Sequence, residues 1–371
     1  MRQRLYIIIY ILAFLLLGSC GGRTTGETKE SGDTLLLRHA KNLIIVEYTD
    51  HTEVTLTNPW DGVGVLARYC LLSEHGKHGG DGVKVTVPLR NAAVFGSVHC
   101  ALLHELGAGE AIGGICDLEF INQPEVRKAV AVGRIANLGN SIQPSLEKIV
   151  DMGADALLPS PFENSGGLGR IERLGIPIIW CADYMENTPL GRAEWMRFYG
   201  RLFGRGHEAD SIFDIVERSY QELATLAKDT RTRPRLLPEM PWSGQWTLPG
   251  SGSSSTRLYA DAGADYIFSH LKGNGGIPLS TEKVVEGGIT ADIWLIKHHG
   301  RLDRRQMVAD TPLLSGIKAP IWWCDTSQTY LYEETPFHPE RLLENLIAIL
   351  HPELNITSRW NYFKKLEAEG L

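Results

Sequence analysis

Hydrophobic and polar positions alternate with a period of two from Leu43 to Val87, through "LIIVEYT", "EVTLTN", "GVLARYCLL" and "VKVTVPL", with turn-rich pieces such as "SEHGKHGGDG" between them. A period of two puts successive side chains on opposite faces of a strand, so this region predicts antiparallel strands or hairpins along one edge. After Arg90 the rhythm changes. "NAAVFG" precedes a helical "SVHCALLHELGAG", followed by "AIGGI", "PSLEKIVDMGADALL" and then "IPIIW" before Cys181. Strand and helix in alternation predict a parallel sheet with helices on its faces.

From His207 to Asp229 the chain contains no Gly or Pro and places Ile212, Val216, Leu223 and Leu226 at helical spacings. This predicts one amphipathic helix of about 34 Å. Beyond it a second series of strands and helices opens: "RLLPEM", "SSTRLYADAG", "DYIFS", "PLSTEKVVEGGITADIWLI" and "APIWW" before Cys324. Three segments of the first series return here in the same order. "LLHELGAGEAIGG" matches "RLYADAGADYIFS", "PSLEKIVDMGADALL" matches "PLSTEKVVEGGITADIWLI", and "LGIPIIWCADY" matches "GIKAPIWWCDT". An internal repeat explains that order. The expected fold is α/β: two related lobes with mostly parallel sheets flanked by helices, joined by one long helix, with a cleft between the lobes. The expected boundaries are a signal peptide over 1–19, a lipidated tether over 20–35, an N-terminal lobe over 36–205, the connecting helix over 206–229 and a C-terminal lobe over 230–371.

The first residues change the picture of location. Arg2 and Arg4 precede the apolar run "LYIIIYILAFLLLG" and the tetrad "LGSC". The run suits a secretory signal better than a spanning helix, and the tetrad resembles a bacterial lipobox, which would make Cys20 the lipid-bearing N-terminus. Polar residues from Gly21 to Asp33 then read as a flexible tether. Apart from Cys20, the cysteines Cys70, Cys100, Cys116, Cys181 and Cys324 are odd in number and form no CxxC spacing, so a disulfide framework or zinc site is not indicated. A net charge of −7 with no basic run argues against nucleic acid or a polybasic membrane surface as partner. The membrane is expected to be reached through the lipid only.

The succession "ELGAGEAIGGICD", "PSLEKIVDMGADALLPSP", "RLGIPIIW", a long helix, "PLSTEKVVEGGITADIWLI" and "ERLLENLIAILHPEL" resembles the substrate-binding lipoproteins of ABC importers for ferric siderophores, haem and cobalamin. The resemblance runs from about Asn91 to Leu354; the hairpin-like region before it matches less well. It implies a monomer in the bacterial cell envelope, anchored by lipid, facing the periplasm, with a membrane permease as partner. The ligand it implies is a ferric chelate, haem or a corrinoid, and no resident cofactor is expected. The resemblance also implies docking glutamates at the starts of equivalent helices, here Glu147 and Glu282. Either one alone reads equally as a carboxylate complementing a helix dipole; the pair, placed alike in both lobes, points to docking.

Ligand contacts are expected on loops that follow strands. These are Asn140, Ser160 and Phe162, with Glu163 and Asn164, in the first lobe, and Trp242, Trp246, Asp325, Tyr330 and Tyr332 in the second. Flat rings on polar loops suit a large, partly apolar ligand. The Gly and Ser loop before "TRLYADAG" reads as a capped helix start that is also able to hold an anion. Two other readings stay open. A free zinc or manganese receptor needs ligands from both lobes, for which His270 and His298 offer only one side, and His75 with His78 lie in a polar loop. An envelope enzyme needs a nucleophile and base, and no GxSxG or HExxH is present.

Overall fold

The computed structural model describes residues 32–60, 62–74, 80–162 and 169–367. The apolar run, Cys20, His75, His78, Glu163 and Asn164 lie outside the described residues. The alternating N-terminal region builds a five-stranded sheet in the order β1 (Asp33–Thr34), β2 (Leu43–Glu47), β3 (His51–Thr57), β4 (Val65–Ser73) and β5 (Val83–Val87). Val54 and Leu56 on β3 face the core while their neighbours do not, as a period of two requires. Pairing is antiparallel except between β4 and β5, which run parallel with Tyr69 opposite Val83. The hairpin expected here is therefore corrected. β5 starts opposite Tyr69, in the middle of β4, and ends opposite Ser73.

In the N-terminal lobe β6 (Ala92–Val94), α1 (Ser97–Glu105), β7 (Ile112–Ile115), α2 (Pro124–Ala131), β8 (Ala136–Asn137), α3 (Leu146–Asp151) and β9 (Ala156–Leu158) follow in turn. The four strands are all parallel, in the order β8-β7-β6-β9. "IPIIW" contributes one parallel bridge, Leu157 with Ile178, rather than a strand. Pro177 has no N–H with which to extend the ladder. Two short helices, α4 (Pro189–Glu194) and α5 (Met196–Leu202), lead into the connecting helix α6 (Gly206–Lys228).

The C-terminal lobe holds β10 (Arg235–Pro238), β11 (Gln245–Pro249), α7 (Ser254–Asp261), β12 (Asp265–Tyr266), β13 (Gly276–Ser280), α8 (Thr281–Gly288), β14 (Ile293–His298), α9 (Arg304–Asp310) and β15 (Ile321–Asp325). It ends with α10 (Leu331–Glu334), α11 (Pro339–Leu350) and β16 (Lys364–Lys365). Its main sheet runs β12-β10-β14-β15-β16, parallel except for the antiparallel β16. The repeat read from the sequence thus has a topological counterpart. β7-β6-β9 with Ile178 beyond matches β12-β10-β14 with β15 beyond.

Both faces of the first-lobe sheet are covered. Ala92, Val94, Ala156 and Leu158 point into a large core shared with the other lobe, whereas Ala93 and Leu157 point into a smaller cluster with Phe95, Leu138 and Ile149. The large core is continuous from the N-terminal sheet through α6 into the second lobe. On α6 the buried stripe is Ala209, Phe213, Val216, Tyr220 and Ala227, while Leu226 faces solvent. Of the expected stripe, Val216 is buried and Ile212 and Leu223 pack against the core, while Leu226 is exposed and the larger rings Phe213 and Tyr220 are buried.

Three buried carboxylates fasten the segment that leads into β2. Glu194 accepts hydrogen bonds from the backbone N–H groups of Arg38, His39 and Ala40 at 2.8 to 3.0 Å. Glu186 takes those of Lys41 and Asn42, and Glu217 on α6 pairs with the Arg38 and His39 side chains. Asp33 to Leu371 form one compact unit.

Candidate ligand cleft

Parallel strands send their following loops out at the carboxyl edge of the sheet. In the first lobe four such loops present a large exposed apolar side chain, Phe120 after β7, Ile142 after β8, Phe162 after β9 and Tyr184 after the Ile178 bridge, while the turn after β6 keeps Phe95 buried. Phe162 is 61% exposed, and the Tyr184 hydroxyl donates to the carbonyl of neighbouring Pro161. In the second lobe the corresponding loops present Trp242 after β10, and Tyr330 and Tyr332 after β15.

Trp242 owes its position to a tight turn. Ser243 and Gly244 both have positive φ, 49° and 80°, and Trp242 bridges to Gln245 across them. Two successive left-handed residues make a hairpin turn that Gly tolerates without steric cost. Trp242 stands at the tip, 81% exposed. Trp246 does not line the cleft. The same turn starts β11, whose alternate residues Trp246 and Leu248 face inward. Trp246 is 0% exposed, donates its indole N–H to the Pro238 carbonyl at 3.2 Å and lies 5.6 Å from the Trp294 ring.

A cavity of about 390 Å³ crosses between the lobes where these loops meet, lined by Glu119, Asn122 and Arg127 from one side and His299, Gln328 and Tyr330 from the other. Asn122 ties its two sides together. Its side-chain amide donates to the carbonyls of Thr326 and Thr329 at 3.0 and 3.1 Å, and its backbone N–H donates to Glu333 at 3.0 Å. Arg127 donates to the carbonyls of Leu118 and Ile121, which fixes its guanidinium in the lining. Behind Tyr332 a smaller cavity of about 150 Å³ contains Tyr259 and Lys297. Burial alone would lower the Lys297 ammonium, but Glu239 at 2.6 Å outweighs it and holds the lysine above its ordinary pKa.

Several expected contacts have structural duties. Asn140 accepts a hydrogen bond from the backbone N–H of Ile142 at 2.8 Å, shaping the loop that exposes Ile142. Asp325 accepts from Ser327 and from the backbone of Gly300, tying together the loops after β14 and β15. Burial raises the Asp325 carboxyl, but those donors outweigh it and leave the carboxyl below its usual range. Ser253 caps α7 by accepting from the Thr256 N–H. No disulfide joins Cys100, Cys116, Cys181 or Cys324, all buried, among the described residues.

The loop residues Phe120, Ile142 and Tyr184 went unread in the sequence; Ile142 alone carried a signal, a single large apolar residue in the polar loop "GNSIQPS" just after a strand, whereas Phe120 has Leu118 and Ile121 beside it and Tyr184 has Met185. Asn122 and Arg127 carried no such signal. Their roles arise from bonds to the other lobe and to nearby carbonyls.

Glu147 and Glu282 occupy the same place in their lobes. Each is exposed in the first turn of its helix, α3 or α8, two residues after a capping serine. Ser145 accepts from the Lys148 N–H at 3.3 Å and Ser280 from the Lys283 N–H at 3.4 Å, so the serines do the capping and the glutamates face solvent.

Among the described residues, no helix is long and apolar enough to cross a membrane, and no group of three or more His, Cys, Asp or Glu is placed to hold a metal ion. An uncharacterized lipoprotein of Methanocaldococcus jannaschii is 23% identical over 377 residues, which cover 94% of this chain and 89% of the relative. A periplasmic heme-binding protein from Pseudomonas aeruginosa superposes with a TM-score of 0.59 at 15% identity, covering 76% of this chain and 99% of that one. The periplasmic vitamin B12 binding protein of Vibrio cholerae gives 0.54 at 14% identity, covering 72% and 98%. Residues 103–320 match the family model for periplasmic binding proteins, and with its two matching lobes and the cleft between them the chain belongs to that family.

Proposed function

We propose that this protein is the solute-binding component of an ABC importer, capturing an iron chelate (siderophore or haem) or cobalamin between its lobes and delivering it to a membrane permease. The observation that carries the reading is the set of exposed apolar side chains on loops that follow sheet strands: Phe120, Ile142, Phe162 and Tyr184 in one lobe, and Trp242, Tyr330 and Tyr332 in the other. Such a set is unfavourable in water unless something covers it. Flat rings match a corrin, porphyrin or catecholate, and Arg127 and His299 in the adjoining cavity suit the negative charge such chelates carry. The haem and vitamin B12 ligands of the two structural neighbours support the same ligand class.

Glu147 and Glu282 are assigned to docking, one per lobe, where rim charge steers and registers the encounter with the permease. Cys20 is assigned to lipid attachment at the cell envelope, a reading supported by the lipoprotein name of the Methanocaldococcus relative. The continuous core through α6 favours a small closure over a wide hinge. Titrating the protein with cyanocobalamin, haemin and ferric siderophores while following tryptophan fluorescence tests the ligand class. Saturable binding of one of them supports the reading. Tight binding of zinc or manganese in place of all three refutes it, and turnover of a bound ligand assigns the cleft to an enzyme.

A further inference from the structure

The chamber of about 150 Å³ behind Tyr332 holds a cation that its own walls satisfy only in part. Lys297, at the carboxyl end of β14, pairs with Glu239 at 2.6 Å, and Glu239 is its only partner among the described residues. An ammonium group carries three N–H donors and no acceptor, so two donors are left over. The pairing is built into the backbone. Glu239 sits at a φ of 65°, unusual for a residue with a side chain, and is clamped there by its N–H on the Leu295 carbonyl and its C=O on the Trp294 indole N–H. Beside the lysine, Tyr259 on α7 is 4% exposed, and its hydroxyl has no hydrogen-bond partner among the described residues. Every other buried tyrosine described has one: Tyr69, Tyr199, Tyr220, Tyr266 and Tyr362. A buried phenol normally finds a partner, so the Tyr259 hydroxyl marks a vacancy in the hydrogen bonding of this chamber. Arg192 enters from the first lobe with its Nε on Asp183 at 3.0 Å.

We propose that this chamber binds a carboxylate group. The spare donors of Lys297 and the hydroxyl of Tyr259 converge on one space, and whatever fills it must bring acceptors. Both cations already have one carboxylate partner, Lys297 in Glu239 and Arg192 in Asp183. The walls therefore offer directed donors rather than excess charge, which suits a single carboxylate better than a doubly charged phosphate. Pro336 and Leu342, both partly exposed, supply an apolar wall for the carbons that carry the acid. The volume gives room for several waters or for a carboxylate and those few carbons. The acid is either an arm of the large solute, in which case the inference rests on the reading above, or a small free acid; the chemistry that recognises it is the same.

Titrating the protein with ¹³C-labelled butyrate, followed by broadening of its NMR signal, tests the site, with butyramide as the uncharged control. Wild type is expected to bind butyrate saturably at one site per chain and butyramide at least about tenfold more weakly, the scale of a hydrogen bond to a charged group. Tyr259→Phe removes only the hydroxyl. It is expected to weaken butyrate about tenfold while the melting temperature holds or rises, because that hydroxyl has no partner in the protein to lose. A parallel fluorescence titration compares haemin with its dimethyl ester. At least about tenfold preference for haemin, lost in Tyr259→Phe, supports the proposal and makes the acid an arm of the solute. Saturable butyrate binding with equal affinity for haemin and its ester supports it as a site for a free acid. Where neither porphyrin binds, the solute reading loses its haem branch and butyrate alone decides this site. No saturable butyrate binding together with no preference for haemin overturns the proposal and leaves the chamber to water. Butyrate binding undiminished in Tyr259→Phe also overturns it, since the acid then sits elsewhere.

Discussion

His338 Nε2 lies 2.7 Å from Glu105 Oε2, joining the residue that precedes α11 in one lobe to the last residue of α1 in the other. Glu340 holds the other ring nitrogen at 2.9 Å. Burial alone would lower the His338 pKa, but the two carboxylates outweigh it and push it up to about 9. A histidine raised in the folded state stabilises fully below its unfolded value, here about 6.5, and loses that contribution as pH rises through the folded value. Glu105 is also raised by burial, but His338 and Arg341 outweigh this and lower it, so its contribution persists until pH falls below the usual carboxylate range. Unfolding free energies of wild type and His338→Gln, measured in urea, therefore differ by about 1 kcal/mol near pH 6. The difference shrinks between about pH 6.5 and 9 and is gone at higher pH. A gap that persists unchanged at about pH 10 would place the stabilisation elsewhere.

Trp242 and Trp246 are four residues apart and have opposite duties. Trp246→Ala removes a fully buried ring and costs about 3–5 kcal/mol of stability. Trp242→Ala changes stability by less than about 0.5 kcal/mol, because the exposed ring has little packing to lose. Thermal melts of the two variants separate them. Equal destabilisation contradicts the hairpin geometry.

The strap on Glu194 has its own test. Glu194→Ala leaves three backbone N–H groups, those of residues 38–40, without their acceptor in a buried place, and is expected to cost about 2–4 kcal/mol. Limited proteolysis then cuts ahead of β2 before it cuts elsewhere. A variant as stable and as protease-resistant as wild type removes the fastening role.

A double Glu147→Ala, Glu282→Ala variant separates docking from helix capping. Each substitution alone costs at most about 1 kcal/mol, since Ser145 and Ser280 remain as caps. Ligand affinity stays at the wild-type level while uptake in a strain lacking the native protein is lost. Full uptake by the double variant would return both residues to the ordinary favourable charge of a helix start.

The sequence made the two-lobe plan legible because the repeat is written in helix-to-strand punctuation, and "PSLEKIVDMGADALL" and its echo became α3 with β9 and α8 with β14. The α6 helix was legible from an uninterrupted span, though its rotation was not: Leu226 looked equivalent to the buried positions until Phe213 and Tyr220 had taken the core. Strand direction in the β4 and β5 pair was hidden because alternation records faces and says nothing of parallel or antiparallel neighbours. Trp246 read like Trp242 because a two-residue turn between them reverses the chain, and only backbone angles show it.

The central claim is that exposed loop side chains of both lobes hold one large chelate, and affinity measurements on cleft variants test it most directly. Equilibrium binding of haemin, cyanocobalamin and ferric siderophores is compared between wild type and a Phe162→Ala, Trp242→Ala, Tyr330→Ala, Tyr332→Ala variant, with the melting curve checked for each. One ligand is predicted to bind wild type at one site per chain and to lose about a hundredfold or more in affinity in the variant, the scale of several stacking contacts removed together. Unchanged affinity in a folded variant, or no binding of any of these ligands to wild type, contradicts the account.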